Sequence, residues 1–127
     1  MSVTSPTHYE EQFVDESESL WRGIHKFQIK PNSDGTYSPS SSAFRSTDLS
    51  VDIASKTTPE KSINNFAALS GFLAEVPIKL GYQVIEDPVE DNDAHALIKG
   101  NITKTNAKKI ANSSEWVVEP KHQSPSN

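Results

Sequence analysis

The sequence predicts an α+β domain with a mainly antiparallel sheet and two helices, in the order β-β-α-β-β-β-α-β. Several short segments alternate apolar and polar residues, which is the period of a half-buried strand. The gaps between many of these segments have hairpin length, and two separate segments carry apolar residues at helical spacing. Strands mixed with separated helices in this way favour an antiparallel sheet over a doubly wound parallel one.

The first predicted strand covers residues 21–29, where Trp21, Phe27 and Ile29 share the core face by alternation. Residues 31–35 form a run of Pro, Asn, Ser, Asp and Gly, which favours a turn and ends the strand.

A Ser-rich loop over residues 37–42 follows, and Phe44 is its expected anchor in the core. Alternation over residues 49–53 predicts the second strand. Thr58 and Pro59 predict a helix start, because Thr accepts free backbone N–H groups and Pro suits the first helical position.

The first helix is expected to carry Phe66 on its buried side and to end near Gly71. Seven residues are predicted to form the core and to contact one another: Trp21, Phe27, Val51, Phe66, Leu97, Ile110 and Trp116. The remaining predicted elements are strands at 72–76, 82–86 and 94–99, with 77–81 as a short connection, a helix capped by Thr103, and a closing strand at 116–118.

Charge divides the chain into a leader and a domain. The formal net charge is −5, and residues 1–18 hold five of the acidic side chains with no Lys or Arg, so the rest is neutral. We therefore predict an acidic disordered leader over 1–18, a single globular domain over 19–120 and a disordered tail over 121–127.

Composition narrows the function classes. There are no cysteines, so disulfides and the commonest structural zinc sites are excluded. No glycine-rich phosphate loop follows a strand, and we expect no bound cofactor and no metal. The sequence lacks a secretory signal and a long apolar run, which predicts a cytoplasmic protein with no membrane partner. Scattered lysines predict that duplex nucleic acid is not a partner, whereas an unknown protein or small molecule remains open.

The acidic segment 86–95 offers carboxylates for a hard cation, but its spacing lacks the glycine and closing carboxylate of a calcium-binding helical hand. We interpret it as a solvated turn between two strands. His95 directly follows this turn, so it is a candidate general base. The alternative, which we favour, is a structural histidine at a strand end.

Arg22 and the serines of the Ser40–Ser42 loop, with Ser41 at its centre, form a second candidate group, because an arginine fork can hold phosphate or carboxylate. With Glu86 at a strand end, this order is similar to the arginine–serine–glutamate arrangement of ADP-ribosyltransferases. The alternative is an ordinary Ser-rich surface loop, with Arg22 paired to an acidic neighbour.

A wider resemblance covers residues 20–120. It rests on Leu20-Trp21-Arg22, Ser41-Ser42-Ala43-Phe44 with Leu49-Ser50-Val51, Asp87-Pro88 followed by His95-Ala96-Leu97-Ile98-x-Gly100, Ala107, Ala111 and Trp116-Val117-x-x-Pro120. In these segments the chain resembles a family of small uncharacterised bacterial α+β domains. The resemblance implies a compact, standalone bacterial domain in the cytoplasm and assigns no activity.

Two functions follow as hypotheses. The first is a non-enzymatic binding or interaction module, with oligomeric state and partner open. The second is a small enzyme acting on a nucleotide or ADP-ribosyl substrate, with Arg22, the Ser40–Ser42 loop and His95 as its residues. A cleft that gathers Arg22, a serine and His95 would favour the enzyme.

Overall fold

The computed structural model describes residues 12–121, so residues 1–11 and 122–127, which hold most of the predicted leader and tail, lie outside the described residues. Within 12–121, eight strands and three helices are present. The strands are β1 (Ser19–Ile24), β2 (Ile29–Pro31), β3 (Tyr37–Pro39), β4 (Thr47–Ile53), β5 (Ala68–Leu73), β6 (Gln83–Glu86), β7 (His95–Asn101) and β8 (Glu115–Val118). The helices are α1 (Pro59–Ile63), α2 (Glu75–Lys79) and α3 (Lys104–Ser113). The predicted α+β class is confirmed.

Six strands form one antiparallel sheet in the order β6-β7-β4-β1-β5-β8, while β2 and β3 form a separate hairpin. One face of the sheet carries the core, which alternation along each strand produces. Phe44 lies fully buried in this core and meets Phe72 edge-on, with ring centroids 5.8 Å apart. The buried residues that the sheet contributes to the core are Leu20, Ile24, Leu49, Val51, Ile53, Ala68, Phe72, Val84, Ala96 and Ile98, and α3 adds Ala107 and Ile110.

The helix starts follow from local side-chain caps. Thr58 accepts a hydrogen bond from the backbone N–H of Lys61, and Thr103 accepts one from Asn106, so both predicted caps are observed. Helix α1 is shorter than predicted, because Asn64 adopts a φ of 43° and ends it. None of the helices in residues 12–121 is long and apolar enough to cross a membrane.

The predicted first strand over 21–29 is too long, and its predicted core face is wrong: Leu20 and Ile24 are the buried apolar residues of β1, so Trp21 lies on the opposite face and Phe27 is not in the core. The predicted core residues Phe66 and Leu97 also lie outside the buried cluster.

Strand β1 ends at Ile24, and a 3-10 turn over Lys26–Gln28 follows. The side chain of Gln28 accepts a hydrogen bond from the backbone N–H of His25, which stabilises this turn against an extended chain. Phe27 is 83% exposed and stacks on the His25 ring.

The prediction for residues 72–81, a strand at 72–76 followed by a short connection at 77–81, is also wrong. The chain is extended over Ala68–Leu73, between β1 and β8, and is helical over Glu75–Lys79. Pro77 explains the difference, because it has no N–H for a strand ladder but is tolerated in the first turn of a helix.

The folded part begins before the predicted boundary at residue 18. Val14 is buried, and its N–H donates to the carbonyl of Val84 at 2.8 Å. Phe13 forms a backbone bridge to Ile85, so the chain runs antiparallel beside β6. Two apolar residues inside the acidic segment therefore tie it to the sheet.

Candidate functional site

Arg22 is held by the fold's own carbonyl groups. By strand alternation its side chain lies on the same face as Leu20 and Ile24. Its Nε donates to the carbonyl of Ala43 at 2.9 Å, and Nη1 donates to the carbonyl of Ser50 at 3.0 Å. Burial lowers the pKa of Arg22 from its ordinary value, although a guanidinium stays charged in proteins. These bonds fasten the turn before β4, and β4 itself, to β1.

His95 is the first residue of β7 and lies opposite Asp52 of β4 in the sheet register. Its Nδ1 is 2.9 Å from the carbonyl oxygen of Asp87 and 3.1 Å from the carboxylate Oδ2 of the same residue. The backbone N–H of Asp87 donates back to the carbonyl of His95. Together these contacts close the base of the acidic turn.

Asp52 is the centre of this region. Its Oδ2 accepts a hydrogen bond from Ser62 Oγ at 2.6 Å, and its Oδ1 accepts one from Asn92 Nδ2 at 2.8 Å. The carboxylate thereby binds α1 and the acidic turn to the sheet. Sequence reasoning missed Asp52, although its place on the polar side of a predicted alternating strand was visible.

A cleft of about 230 Å³ opens beside Asp52, and we call it the sheet-face cleft. Its lining residues are Arg22, Gly23, Ser50, Val51, Asp52, Lys61, Ser62, Asn64, Phe66, Asn92 and His95. Phe66 lies against Gly23 so closely that a Cβ at residue 23 would be 2.1 Å from its ring. The Phe66 ring can form this wall of the cleft only because residue 23 is glycine. The cleft brings His95 together with Ser50, Asp52 and Ser62, whereas the Arg22 guanidinium lies on the opposite face of the sheet.

Ser41 lies in a different cleft. Ser40 caps the turn Ser41–Ala43 by accepting from the backbone N–H of Ser42 at 3.2 Å, so the polar run serves the backbone locally. Glu86 is also elsewhere, at the end of β6, where it forms a 2.8 Å ion pair with Lys56. Arg22, Ser41 and Glu86 therefore line no common cleft among those found in the described part of the chain.

The cleft that Ser41 lines has a volume of about 620 Å³ and lies between the β2–β3 hairpin and α3; we call it the lysine cleft. Its lining residues are Lys30, Asn32, Tyr37, Ser38, Pro39, Ser41, Lys104, Lys108, Ala111, Asn112, Ser114 and Trp116. No Asp or Glu is among them. Lys30, Lys104 and Lys108 form no ion pair with any residue in 12–121.

The hairpin wall of the lysine cleft is fixed by hydrogen bonds. On the hairpin, Asn32 Nδ2 donates to Thr36 Oγ1 and to Ser38 Oγ. Trp116 on β8 donates its Nε1 hydrogen to the carbonyl of Tyr37 at 3.0 Å, which joins the hairpin to the main sheet. These bonds hold the hairpin wall of the cleft in place against β8.

The lysines of this cleft were missed because they are far apart in the sequence. Lys30 lies more than seventy positions before Lys104, and the chain as a whole is acidic. One signal was available: α3 has Lys104 and Lys108 at i, i+4 and contains no acidic residue.

The acidic turn forms no metal cluster in the described chain. Among residues 12–121, no three His, Asp or Glu side chains are grouped to hold a cation. Asn92 organises the turn instead, because its Oδ1 accepts from the backbone N–H of Ala94 while its Nδ2 binds Asp52.

In comparisons with known proteins, no family model, curated protein or solved structure matches the chain.

Proposed function

We propose that this protein is a non-enzymatic binding module whose ligand site is the lysine cleft. The observation that carries the proposal is the presence of Lys30, Lys104 and Lys108 in one cleft without an ion pair in residues 12–121. Charges without a partner in the fold are available to a ligand. A volume of about 620 Å³ lies in the range of small-molecule sites, roughly 300–1,000 Å³.

The hydrogen bonds of the sheet-face cleft support a binding role over chemistry. Arg22 donates to two backbone carbonyls, Asp52 accepts from Ser62 and Asn92, and His95 Nδ1 faces Asp87. Each of these groups has a task in holding a strand, helix or turn. A general base or nucleophile must instead point a reactive atom at the substrate.

The experiment is a ligand screen followed by amide chemical shifts of the full chain. We expect compounds from a mixed panel of acids, phosphates, amines and neutral molecules to shift the amides of Lys30, Ser41, Lys104 and Lys108. We also expect every bound compound to be recovered unchanged after prolonged incubation. Conversion of a bound compound, or shifts confined to Asp52 and His95, would contradict the proposal.

A second candidate is a small enzyme acting on a nucleotide or ADP-ribosyl substrate at the sheet-face cleft. One observation favours it: His95 lines that cleft together with two serines, Ser50 and Ser62, and with the backbone of Arg22, whose guanidinium lies on the other face of the sheet. The Ser40–Ser42 loop would have no part in it. Turnover of ADP-ribosyl compounds by the wild type, lost in His95→Gln with an unchanged melting temperature, would support the enzyme.

A further inference from the structure

We propose that the lysine cleft binds an organic phosphate with two or more negative charges, such as a nucleoside diphosphate. The phosphate groups lie between Lys30 on the hairpin and Lys104 and Lys108 on α3, and the organic part lies against the aromatic wall. This inference rests on the proposed function and adds the chemical class of the ligand.

The positions of the lysines carry the charge argument. Lys104 and Lys108 are one turn apart on α3, so their Cβ atoms are about 5–6 Å from each other. Lys30 lines the same cleft from the hairpin. Three ammonium groups in one cleft repel one another, and an anion with several charges between them removes that repulsion. Lysine binds phosphate as a point charge and needs no fixed geometry for it.

Neutral donors lie beside the lysines. The hydroxyl of Ser41 and the side-chain amide of Asn112 form no hydrogen bond with any residue in 12–121. Ser38 Oγ accepts a hydrogen bond from Asn32 at 2.8 Å, so its own hydrogen remains free to donate. These groups donate to phosphate oxygens, which have more acceptor sites than three lysines fill.

The nearest acidic side chain on the hairpin does not compete for the lysines. Asp34 accepts hydrogen bonds from the backbone N–H and the hydroxyl of Thr36, at 3.0 and 2.6 Å, and these bonds lower its pKa. Asp34 is outside the cleft lining. Asp34 also forms no ion pair with the three lysines of the cleft.

The aromatic wall indicates an organic ligand. Tyr37, Pro39 and Trp116 form an apolar side of the cleft, and the bond from Trp116 Nε1 to the Tyr37 carbonyl fixes the indole ring. A bare inorganic anion would leave this side without a contact, whereas a ring attached to a diphosphate covers it.

Calorimetric titration of the full chain with ADP, inorganic pyrophosphate, adenosine and citrate tests the proposal. The NMR signal of the Trp116 indole N–H reports the location, and Trp21→Phe assigns it, since the chain has two tryptophans. We expect ADP to bind most tightly, to shift the Trp116 signal and to bind more weakly as salt is added. Pyrophosphate binds more weakly than ADP, and adenosine and citrate more weakly still.

Single lysine variants test the site. Lys30→Gln, Lys104→Gln and Lys108→Gln should each weaken ADP binding about tenfold, because each removes one charge-assisted hydrogen bond. Lys109→Gln is the matched control: it makes the same charge change on the same helix, outside the cleft lining, and should change affinity less than about twofold.

Four results would overturn the inference. The first is an equal loss of ADP affinity in Lys108→Gln and Lys109→Gln. The others are adenosine or pyrophosphate binding as tightly as ADP, citrate binding more tightly than ADP, and no binding of any phosphate compound at millimolar concentration. The proposed function fails separately. If another class of compound shifts the same cleft amides, the binding module stands and only the ligand class is wrong. If ligands bind only outside the lysine cleft, both proposals are wrong.

Discussion

The two polar clefts of this domain differ in what their side chains are bound to. In the sheet-face cleft, Asp52 is bound by Ser62 and Asn92, and Arg22 by two backbone carbonyls. In the lysine cleft, Lys104 and Lys108 have no ion pair within residues 12–121. Polar groups satisfied by the fold contribute to its stability, whereas exposed like charges one helical turn apart repel one another slightly and are available to a ligand. Stability and binding should therefore respond oppositely to mutation in the two clefts.

Arg22→Met should have the largest effect on stability. We expect a loss of about 3 kcal/mol in the free energy of unfolding, because each hydrogen bond from a charged donor contributes roughly 1.5–3 kcal/mol. Methionine carries no charge that must be removed from water, and this offsets part of the loss. Denaturant unfolding measures it. Arg45→Met is the control, since Arg45 is exposed and should change stability by less than about 0.5 kcal/mol. If the two variants are equally stable, the hydrogen bonds of Arg22 do not hold β4 and the turn before it to β1.

Gly23→Ala should cost about 2 kcal/mol, because the added methyl group overlaps the Phe66 ring and forces it away from the sheet. The same change in a Phe66→Ala background should be neutral or stabilising, since the ring is gone and alanine suits a strand interior better than glycine. A double-mutant cycle from urea unfolding gives the coupling between the two residues. Additive effects would show that Phe66 does not form this wall of the cleft.

Two buried serines should respond with opposite signs. Ser62→Ala removes the 2.6 Å hydrogen bond to Asp52 and should lower stability by about 1.5 kcal/mol. Ser70 is fully buried and its hydroxyl has no partner among the described residues, so Ser70→Ala should raise stability by about 1 kcal/mol. Thermal melting of both variants checks the signs. A loss of stability in Ser70→Ala would mean that the hydroxyl has a partner.

The smallest effect concerns the lysine cleft. Lys104→Gln should raise stability by about 0.3 kcal/mol, because it removes a like-charge i, i+4 contact with Lys108. Chemical denaturation at low salt measures this gain, which should decrease at high salt. A destabilised Lys104→Gln would place this lysine among the structural residues, like Arg22.

The elements that could be predicted are those with strong local signals. The caps Thr58 and Thr103 and the alternation over residues 49–53 lie where expected, because a few neighbouring residues determine each of them. The alternation over residues 21–29 assigned Trp21 and Phe27 to the core face, but both faces of β1 carry apolar residues and the buried ones are Leu20 and Ile24. A hydrogen bond between His25 and Gln28 ends that pattern, and alternation alone does not reveal it.

The candidate sites depended on contacts between distant residues. Arg22 and His95 were identified by residue type, but their side chains lie on opposite faces of the sheet, and Ser41 lies in another cleft. The lysine cleft combines Lys30 with Lys104, and no local pattern connects them. Which side chains meet is decided by the position of the β2–β3 hairpin against α3, a tertiary arrangement that the local sequence does not encode.

The backbone bridge between Phe13 and Ile85 has a consequence for shortened versions of this protein. A sheet edge with unpaired N–H and C=O groups templates aggregation, and residues 12–14 occupy that position beside β6. A chain that started at Ser19, the boundary suggested by charge, would lose the buried Val14 and leave the Gln83–Glu86 edge open. Such a chain would keep both clefts and yet tend to self-associate through that edge. The acidic leader thus includes a segment, residues 12–14, that covers this edge of the sheet and should reduce aggregation through it.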